Sequence, residues 1–354
     1  MHTMKRVRFK PMDFSETDVS DVSRKGRMLA LMAETTAKCS LRCVNCYRQE
    51  SGGGWAQKGR ELVLEERLAL IRDAASLGAR AYHIVGAGET LDDPLFPRQL
   101  EEARRFGMEV MVATNGLRLQ SGRIVDMLDE SGASILLKLN SFSDEVERQL
   151  TERAGYADMR NRMLERLLDR KSFNREEVGT SGATTTRLAI SCMITRLNQH
   201  ELLDILRFCR ERNIAACIDT FIPVGRTARE IGLTPPYAEI NELFQQAREQ
   251  DARMGIDGGR GNIYLGGMEC FQRGLGPYIN ILGEARLCVG EKEPVGNIRE
   301  EPLHAIWERI RTTTADYIRD HCGGLMCPPR ENARRAGETE EGQGMHCKGL
   351  IVLP

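Results

Sequence analysis

The apolar positions of residues 28–255 follow two repeating patterns in turn, one typical of buried strands and the other of helices that pack by one face. The patterns predict strands at 28–34, 81–85, 109–113, 134–140, 187–195 and 215–222, and helices at 65–77, 97–106, 122–130, 143–151, 158–170, 200–212 and 237–254. About six strand–helix repeats of these lengths indicate an α/β fold with parallel strands. In such folds the functional site lies at the carboxyl ends of the strands.

Three stretches lie outside this alternation. Residues 1–27 are polar and charged without a clear period, so we expect an irregular lead-in. Residues 171–186 are rich in Gly, Ser and Thr, and we expect a loop that covers the site. After residue 255 the pattern changes to short strands, glycines and cysteines. The predicted units are therefore the lead-in 1–27, the α/β unit 28–255 and a small cysteine-rich α+β module 256–354.

The composition restricts the class of protein. The 354 residues are 41% hydrophobic, which suits a soluble globular protein with a sizeable core. The net charge of −1 gives no global basic field for nucleic acid or an acidic membrane, and no apolar run reaches the length of a membrane span. Because no apolar signal region follows the N-terminus, we expect a cytoplasmic protein without nucleic-acid or membrane partners. Eleven cysteines in a reducing compartment favour metal ligation over disulfides.

Three cysteines at the spacing C-x3-C-x2-C follow the first predicted strand: Cys39, Cys43 and Cys46. The spacing puts three thiolates on one tight loop, and soft thiolates select iron–sulfur clusters or zinc. Three ligands leave one iron of a [4Fe-4S] cubane open for a small molecule. A structural zinc site would need a fourth ligand close by, but the next cysteine is Cys192. The alternatives are three unrelated buried cysteines or half of a zinc site.

The C-terminal part carries a second group of cysteines. Two of them bracket a predicted hairpin whose centre at Gly283-Glu284 is a tight turn that brings two thiolates together. A Val-Gly-Asn-Ile stretch at 295–298 and a predicted helix at 302–310 with Trp307 follow. The cysteines of this group are Cys270, Cys288, Cys322, Cys327 and Cys347.

The cysteine loop resembles that of the radical S-adenosylmethionine (SAM) superfamily, where it follows the first strand. The spacing from Cys270 through Gly283 to Cys288, with the later Gly-Asn-Ile and Trp307, resembles the SPASM and twitch modules of these enzymes. The resemblance implies a partial (β/α)6 TIM-like barrel and a [4Fe-4S] cluster whose open iron binds SAM and yields a 5′-deoxyadenosyl radical.

The full SPASM module has seven cysteines, whereas five are present here. The resemblance therefore implies one auxiliary [4Fe-4S] cluster, held by Cys270, Cys288 and two of Cys322, Cys327 and Cys347. The alternative is a structural zinc in this module, for which the adjoining His321 and His346 are candidate ligands.

The resemblance also supplies candidates for SAM binding. Gly86-Ala-Gly88-Glu89 ends the second predicted strand and resembles the family's GGE motif, so Gly88 and Glu89 are expected to hold the SAM ammonium. Otherwise Gly88 is a turn glycine and Glu89 an exposed acid. Tyr47 follows the third cysteine, as in the subgroup whose loop ends Cys-Tyr, and is a cofactor-binding candidate. Asn45 stands where the family often has an aromatic residue.

Alternation along the strand at 134–140 sorts its side chains between two faces. The apolar residues share one face, and Lys138 and Asn140 share the other, which we expect to point into the barrel. A lysine there costs free energy unless it is paired, which favours a polar, ligand-filled interior. The family has ribose-binding groups at the end of this strand, so Asn140 and Ser141 are candidates. The alternative is that Ser141 caps the next helix.

The next two strands add candidates on the interior face. Ser191 is a candidate cofactor-binding residue there, whereas Cys192 is expected to face the helices as an ordinary buried thiol. Cys217 and Asp219 are expected to face the interior near the substrate, and with Lys138 they form the candidate catalytic set. The alternative for Cys217 and Asp219 is a packed thiol and a salt-bridged acid.

The resemblance implies an enzyme that receives single electrons from an external reductant of the flavodoxin or ferredoxin type. The lead-in is too short for a peptide-recognition domain, which favours a small polar substrate, a sugar or a sugar-bearing natural product. Epimerisation with a thiol such as Cys217 as hydrogen donor is favoured over dehydrogenation, in which the auxiliary cluster accepts an electron. The alternatives are a peptide maturase and a non-catalytic iron–sulfur or zinc protein.

Overall fold

The computed structural model describes residues 5, 7–48, 60–220, 224–228, 230–257, 272–291 and 293–320. Its strands are β1 (Val7–Phe9), β2 (Ala30–Ala33), β3 (Ala81–Ile84), β4 (Glu109–Thr114), β5 (Ser134–Lys138), β6 (Glu177–Val178), β7 (Thr184–Thr186), β8 (Leu188–Met193), β9 (Ala215–Asp219), β10 (Tyr278–Ile279), β11 (Glu284–Arg286) and β12 (Gly296–Asn297). Its helices are α1 (Glu16–Lys25), α2 (Leu64–Ser76), α3 (Phe96–Arg105), α4 (Gly122–Glu130), α5 (Asp144–Thr151), α6 (Tyr156–Asp169), α7 (Leu202–Glu211), α8 (Tyr237–Arg253), α9 (Gln272–Leu275) and α10 (Leu303–Asp320).

The centre of the fold is a sheet that, within the described residues, has nine strands in the order β12-β11-β10-β2-β3-β4-β5-β8-β9. The strands from β10 to β9 pair in parallel, and β11 and β12 join in antiparallel. β2, β3, β4, β5, β8 and β9 are the six predicted strands, and at least one helix follows each of them. The sheet does not close, so the predicted partial barrel is confirmed.

Alternation along the strands divides their side chains between two apolar regions. Ile135, Leu137 and Cys192 are at most 1% exposed and belong to the main core between the strands and the helices. The opposite face lines the barrel interior and contributes a smaller cluster: Phe9, Met111, Ala189 and Ala215. The predicted faces of the strands are confirmed, including the position of Cys192 as a buried thiol on the helix side.

The N-terminal segment closes the amino end of the barrel. β1 pairs in parallel with β7, which pairs in antiparallel with β6 to form a separate small sheet. Phe9 is fully buried in the interior cluster, and Nε2 of His83 lies 3.0 Å from the carbonyl oxygen of Pro11. The expectation of an irregular lead-in is therefore wrong. The segment contains β1 and α1, and burial of its few apolar side chains holds it in the barrel.

The stretch 171–186 lies at the same amino end, away from the predicted site. Its strand β7 leads directly into the start of β8. Lys10 forms ion pairs with Glu177 on β6 (3.0 Å) and with Glu109, the first residue of β4 (3.7 Å). The expectation that this stretch covers the site is wrong, because its polar composition is compatible with a hairpin at either end of the barrel.

The described part of the cysteine-rich segment extends the barrel sheet. β10 pairs in parallel with β2, with Tyr278 opposite Met32. Gly283, at φ +87°, then turns the chain into β11, as the predicted hairpin requires. On α10, Trp307 is 2% exposed and its Nε1 donates a hydrogen bond to the carbonyl oxygen of Gly26 (2.9 Å). None of the described helices combines the length and the apolar composition needed to cross a membrane.

Candidate functional site

The loop that carries Cys39, Cys43 and Cys46 lies between β2 and α2, at the carboxyl end of the strands. The backbone N–H of Val44 donates a hydrogen bond to the carbonyl oxygen of Leu150 on α5 (2.9 Å). Cys39 and Cys43 pack against a small apolar cluster formed by residues 41, 117 and 156. The barrel thus holds the loop by both backbone and side-chain contacts.

The segment after β9 docks on the same loop. The backbone N–H of Arg226 donates to the carbonyl oxygen of Cys46 (3.1 Å), and its Nη1 donates to that of Arg42 (2.7 Å). A Cβ at Gly225, whose φ is +61°, would lie 2.1 Å from the carbonyl oxygen of Tyr47. Only glycine allows so close an approach of the two backbones. Sequence reasoning did not identify Arg226, since nothing local relates it to residues more than 170 positions away.

The three thiols suit a polynuclear cluster. Burial raises the pKa of Cys39 to about 11, and burial together with the charges of Cys46 and Cys39 raises the pKa of Cys43 further. The thiols are therefore close enough to oppose one another's ionisation. In the described part of the chain, no three His, Cys, Asp or Glu side chains converge as a single metal ion requires. Three thiolates can hold three irons of a [4Fe-4S] cluster, so Cys39, Cys43 and Cys46 fit such a cluster with one iron left open.

Gly88 lies directly against the cysteine loop. Its backbone N–H donates to the carbonyl oxygen of Thr36 (2.6 Å), and that of Glu89 donates to the carbonyl oxygen of Lys38 (2.7 Å). A Cβ on Gly88 would lie 2.0 Å from the same Lys38 oxygen. This position requires glycine because two backbone segments touch there, which is more than a turn alone would demand.

Glu89 is 3% exposed, so its interpretation as an exposed loop acid is wrong. Its carboxylate accepts hydrogen bonds from Oγ1 of Thr114 (2.6 Å) and from the backbone N–H groups of Asn115 (2.7 Å) and Leu91 (3.0 Å). Burial raises the pKa of Glu89 to about 7. Glu89 therefore joins the ends of β3 and β4 beside the cysteine loop. Its expected contact with the SAM ammonium stays a prediction.

Asn140 and Ser141 have no accessible surface. Nδ2 of Asn140 donates to Glu147 (3.3 Å), and Oγ of Ser141 donates to Glu201 (2.5 Å). The ribose-binding role expected for them is not retained, because a side chain without accessible surface offers no group to a ligand. The helix-cap alternative is wrong as well, since Ser143 is the N-cap residue of α5. Partners on α5 and on the turn just before α7 account for this burial.

Lys138, Ser191 and Cys217 form a row across three strands of the barrel interior. Lys138 on β5 is the register partner of Ser191 on β8, and Ser191 is that of Cys217 on β9. All three are partly buried. The side-chain ammonium of Lys138 makes no hydrogen bond or ion pair to any residue that the structure describes. The row combines a cation, a hydroxyl and a thiol, which can hold a polar ligand and donate hydrogen to it.

Cys217 stands above the apolar cluster at the bottom of the interior, against which its side chain packs. Burial raises its pKa well above the ordinary value for a thiol, and the nearby Cys209 and Asp219 act in the same direction. Cys217 is therefore an S–H group at neutral pH. Two residues further towards the carboxyl end of β9, Asp219 is the register partner of Met193, and Oδ1 of Asp219 accepts a hydrogen bond from the backbone N–H of Thr220 (2.8 Å).

Glu34 is a site residue that sequence reasoning missed. It follows β2 directly, and its carboxylate has no side-chain exposure. Tyr47 and Arg48, which follow the third cysteine, both contact this carboxylate. Oη of Tyr47 also donates to the carbonyl oxygen of Gly86 (3.2 Å). Tyr47 thus links the end of β3 to the end of β2. An acid at the end of an apolar strand was the one local signal that could have pointed to Glu34.

A family model described as the radical SAM superfamily matches residues 33–209, which is half of the chain and includes the cysteine loop and five of the six barrel strands in whole or part. The chain belongs to the radical SAM superfamily. Membership implies a [4Fe-4S] cluster and SAM, so these predicted cofactors and the prediction of a radical SAM enzyme are confirmed. The type of reaction is not.

The chain is also similar to curated radical SAM relatives. A GTP 3′,8-cyclase of Limosilactobacillus fermentum is 29% identical over 219 residues, 60% of each chain. A tungsten-containing aldehyde ferredoxin oxidoreductase cofactor-modifying protein of Pyrococcus furiosus is 22% identical over 229 residues, 62% of this chain and 60% of the relative. The chain thus matches about 60% of the length of these relatives. Their names describe neither an epimerase nor a sugar substrate.

Solved structures of radical SAM proteins share the fold. SuiB of Streptococcus suis bound to its precursor peptide SuiA superposes with a TM-score of 0.60 at 14% identity, covering 81% of this chain and 67% of SuiB. The anSMEcpe structure with bound AdoMet superposes with a TM-score of 0.54 at 12% identity, covering 79% and 77%. At these identities the likeness concerns the fold alone.

The predicted auxiliary site is described only at Cys288, which lies just after β11 and is partly buried. The other predicted ligands, Cys270, Cys322, Cys327 and Cys347, and the alternative ligands His321 and His346 lie outside the described residues. The auxiliary cluster therefore stays a prediction.

Proposed function

We propose that this radical SAM enzyme removes a hydrogen atom from a carbon of a small polar substrate inside the barrel, a sugar or a sugar-bearing natural product, and epimerises that carbon. In this proposal the thiol of Cys217 returns a hydrogen atom to the opposite face. The observation that carries the proposal is the interior row of Lys138, Ser191 and Cys217.

The state of the Cys217 thiol suits a hydrogen-atom donor. Such a donor must keep its S–H bond until a substrate radical forms, and burial raises the pKa of Cys217 so that the thiol stays protonated at neutral pH. Of the two cysteines on the barrel strands, Cys192 is 1% exposed on the helix side. Cys217 is therefore the strand cysteine that can meet a ligand in the interior.

In the proposed inversion, one hydrogen atom leaves the substrate carbon and another returns to its opposite face. Cys39, Cys43 and Cys46 would hold the cluster that binds SAM, and together these cofactors would supply the radical chemistry that removes a hydrogen atom from the substrate carbon. The S–H bond of Cys217 then breaks, and a C–H bond forms on the opposite face of the same carbon. The thiyl radical left on Sγ takes one electron from the external reductant and one proton from solvent, which restores the thiol.

Lys138 supports a polar substrate. Its ammonium is in the interior without a hydrogen-bond or ion-pair partner among the described residues, and its charge acts on Cys43. A phosphate, carboxylate or hydroxyl group of a ligand in the interior would compensate this partly buried charge. The GTP 3′,8-cyclase relatives act, by their name, on a nucleotide, which agrees with a polar, anionic substrate.

The test begins with anaerobically reconstituted, reduced protein and a panel of nucleotide sugars, aminoglycosides, GTP and short peptides. Release of 5′-deoxyadenosine above the substrate-free rate identifies a substrate. A peptide hit would replace the small-substrate proposal by the peptide-maturase alternative.

With a substrate in hand, turnover in D2O should place one deuterium at the inverted carbon. Cys217→Ser should still release 5′-deoxyadenosine but lose inversion and deuterium incorporation, because a hydroxyl O–H bond is too strong to supply the hydrogen atom. Cys192→Ser is the matched control, since its side chain can keep the contacts of Sγ with Asn140 and Asn198. Unchanged product stereochemistry in Cys217→Ser would rule out the thiol-donor role.

We propose in addition that Cys270, Cys288 and two of Cys322, Cys327 and Cys347 hold one auxiliary [4Fe-4S] cluster. Iron, acid-labile sulfide and zinc are counted per chain after reconstitution. About eight irons support two cubanes, because each cubane holds four. About four irons with one zinc would make the C-terminal site structural and would leave dehydrogenation, the competing reaction, without an internal electron acceptor.

A further inference from the structure

Glu34 connects two parts of the chain that are far apart in sequence. On one side it meets the residues that follow the third cysteine. Nε of Arg48 lies 2.9 Å from Oε1 of Glu34, and Oη of Tyr47 lies 3.5 Å from the same oxygen. The Arg48 side chain is only 10% exposed, so this ion pair is largely shielded from water. The end of the cysteine loop is therefore anchored on the Glu34 carboxylate.

On its other side Glu34 meets the C-terminal hairpin. Oη of Tyr278 donates to Oε1 of Glu34, and the backbone N–H of Ile281 donates to Oε2 (3.1 Å). The backbone N–H of Glu34 donates in turn to the carbonyl oxygen of Ile279 (2.9 Å). This hairpin leads, within seven residues of Ile281, to Cys288. One buried carboxylate thus accepts hydrogen bonds from both the cysteine loop and the hairpin.

The contacts depend on one another because they share a buried charge. Removal of the carboxylate takes a buried counter-charge from the Arg48 guanidinium and an acceptor from the Tyr278 hydroxyl, which is costly inside a protein. The contacts of Arg48 and of Tyr278 with the Glu34 carboxylate are then lost together. Movement of the hairpin is therefore transmitted to the cysteine loop, and the reverse holds as well.

We propose that Glu34 is a positioning residue that couples the geometry of the cysteine loop, and with it SAM binding, to the docking of the C-terminal hairpin. Glu34 acts through Tyr47 and Arg48 on the loop and through Tyr278 and Ile281 on the hairpin. The proposal requires the loop cluster that membership of the superfamily implies. It is independent of the substrate and of the role of Cys217.

The test compares Glu34→Gln and Tyr278→Phe with wild-type protein, each reconstituted with iron and sulfide. Asp251→Asn is the matched control, since Asp251 forms an equally buried carboxylate–arginine pair with Arg210 between α7 and α8, far along the chain from the loop. Two quantities are measured: the dissociation constant of SAM, and the hydrogen–deuterium exchange of backbone amides in residues 278–287 with and without SAM.

SAM should slow the exchange of the hairpin amides in wild-type protein, because ordering of the cysteine loop also orders its shared carboxylate. Glu34→Gln should lose this SAM-dependent protection and bind SAM roughly tenfold more weakly, the effect of losing one hydrogen bond to a charged group. Tyr278→Phe should change both quantities in the same direction by a smaller factor. The control should change neither.

A purely structural role of Glu34 predicts a different result. Both variants would then melt at lower temperature, as is expected of Asp251→Asn, while SAM affinity and SAM-dependent protection of the hairpin stayed at wild-type values. That outcome overturns the proposal. If Glu34→Gln does not fold, Tyr278→Phe decides alone, because it removes a single hydroxyl and retains the ring that is 1% exposed in the core.

Discussion

Substitution of Gly88 by alanine tests the close approach between the end of β3 and the cysteine loop. The new Cβ would lie 2.0 Å from the carbonyl oxygen of Lys38 and 2.8 Å from the carbonyl carbon of Ala37. These are backbone atoms, so no side-chain rotation can relieve the overlap. The two strand ends must move apart by more than 1 Å, roughly the difference between 2.0 Å and an ordinary carbon–oxygen contact.

The cost of Gly88→Ala follows from this movement. Overpacking costs about 1–3 kcal/mol. Separation also breaks two hydrogen bonds, from the N–H of Gly88 to Thr36 and from the N–H of Glu89 to Lys38, each contributing about 0.5–1.5 kcal/mol. The free energy of unfolding should therefore fall by about 2–6 kcal/mol, which lowers the melting temperature by on the order of 5–20 °C. SAM affinity should fall about tenfold or more, because the loop that carries the cluster is displaced.

Calorimetry and equilibrium dialysis with labelled SAM measure the two effects. The matched control is Gly232→Ala, since a Cβ at Gly232 meets no heavy atom within 4 Å and the φ there is not positive. The control should stay within about 0.5 kcal/mol of wild type. If Gly88→Ala melts and binds SAM as wild-type protein does, the backbone contact between Gly88 and Lys38 does not exist in solution.

Two further substitutions test the energetics of the barrel. Asp251→Asn should lower the free energy of unfolding by about 3–5 kcal/mol, because it leaves the 1% exposed Arg210 side chain without its partner. Chemical denaturation measures this free energy, and a loss below about 1 kcal/mol would contradict the buried pair. His83→Gln should make the stability of the protein less sensitive to acid, because burial lowers the pKa of His83 from 6.5 to about 4. Between these pH values the unfolded chain binds a proton that the folded chain does not. The free energy of unfolding of wild-type protein should therefore fall by about 3 kcal/mol as the pH falls from 6.5 towards 4. Parallel pH profiles of wild type and His83→Gln would refute this account.

The order of strands and helices was predictable because it depends on local patterns. Alternation over a few residues separated the helix-facing Ile135 and Leu137 from the interior Lys138, and the structure has these residues on those faces. The cysteine loop was predictable for the same reason, since three ligands within eight positions must come together whatever the rest of the chain does. The inward direction of Cys217 followed from the same two-residue period.

Local patterns could not predict contacts between distant segments. Asn140 follows a barrel strand and was expected to meet a ligand, but its Nδ2 donates to Glu147 on α5 and its Oδ1 accepts from the backbone N–H of Met193 on β8. The stretch 171–186 was expected over the site, but its strand β7 pairs with β1 at the other end of the barrel. In both cases the competing partner lies on another element, and its position depends on how the helices pack.

The sequence by itself therefore determined the strand–helix alternation, the cysteine loop and the interior faces of the strands, all of which depend on neighbouring residues, whereas the partial barrel was implied by the family resemblance. Only the tertiary structure decided that the N-terminal segment fills the amino end of the barrel, that β10 extends the sheet beside β2, and that Glu34 meets Tyr278, 244 positions away. The physical reason is that a buried charge or an unpaired strand edge needs a partner, but many partners satisfy that need equally well. The free energy of the whole packed chain selects one of them.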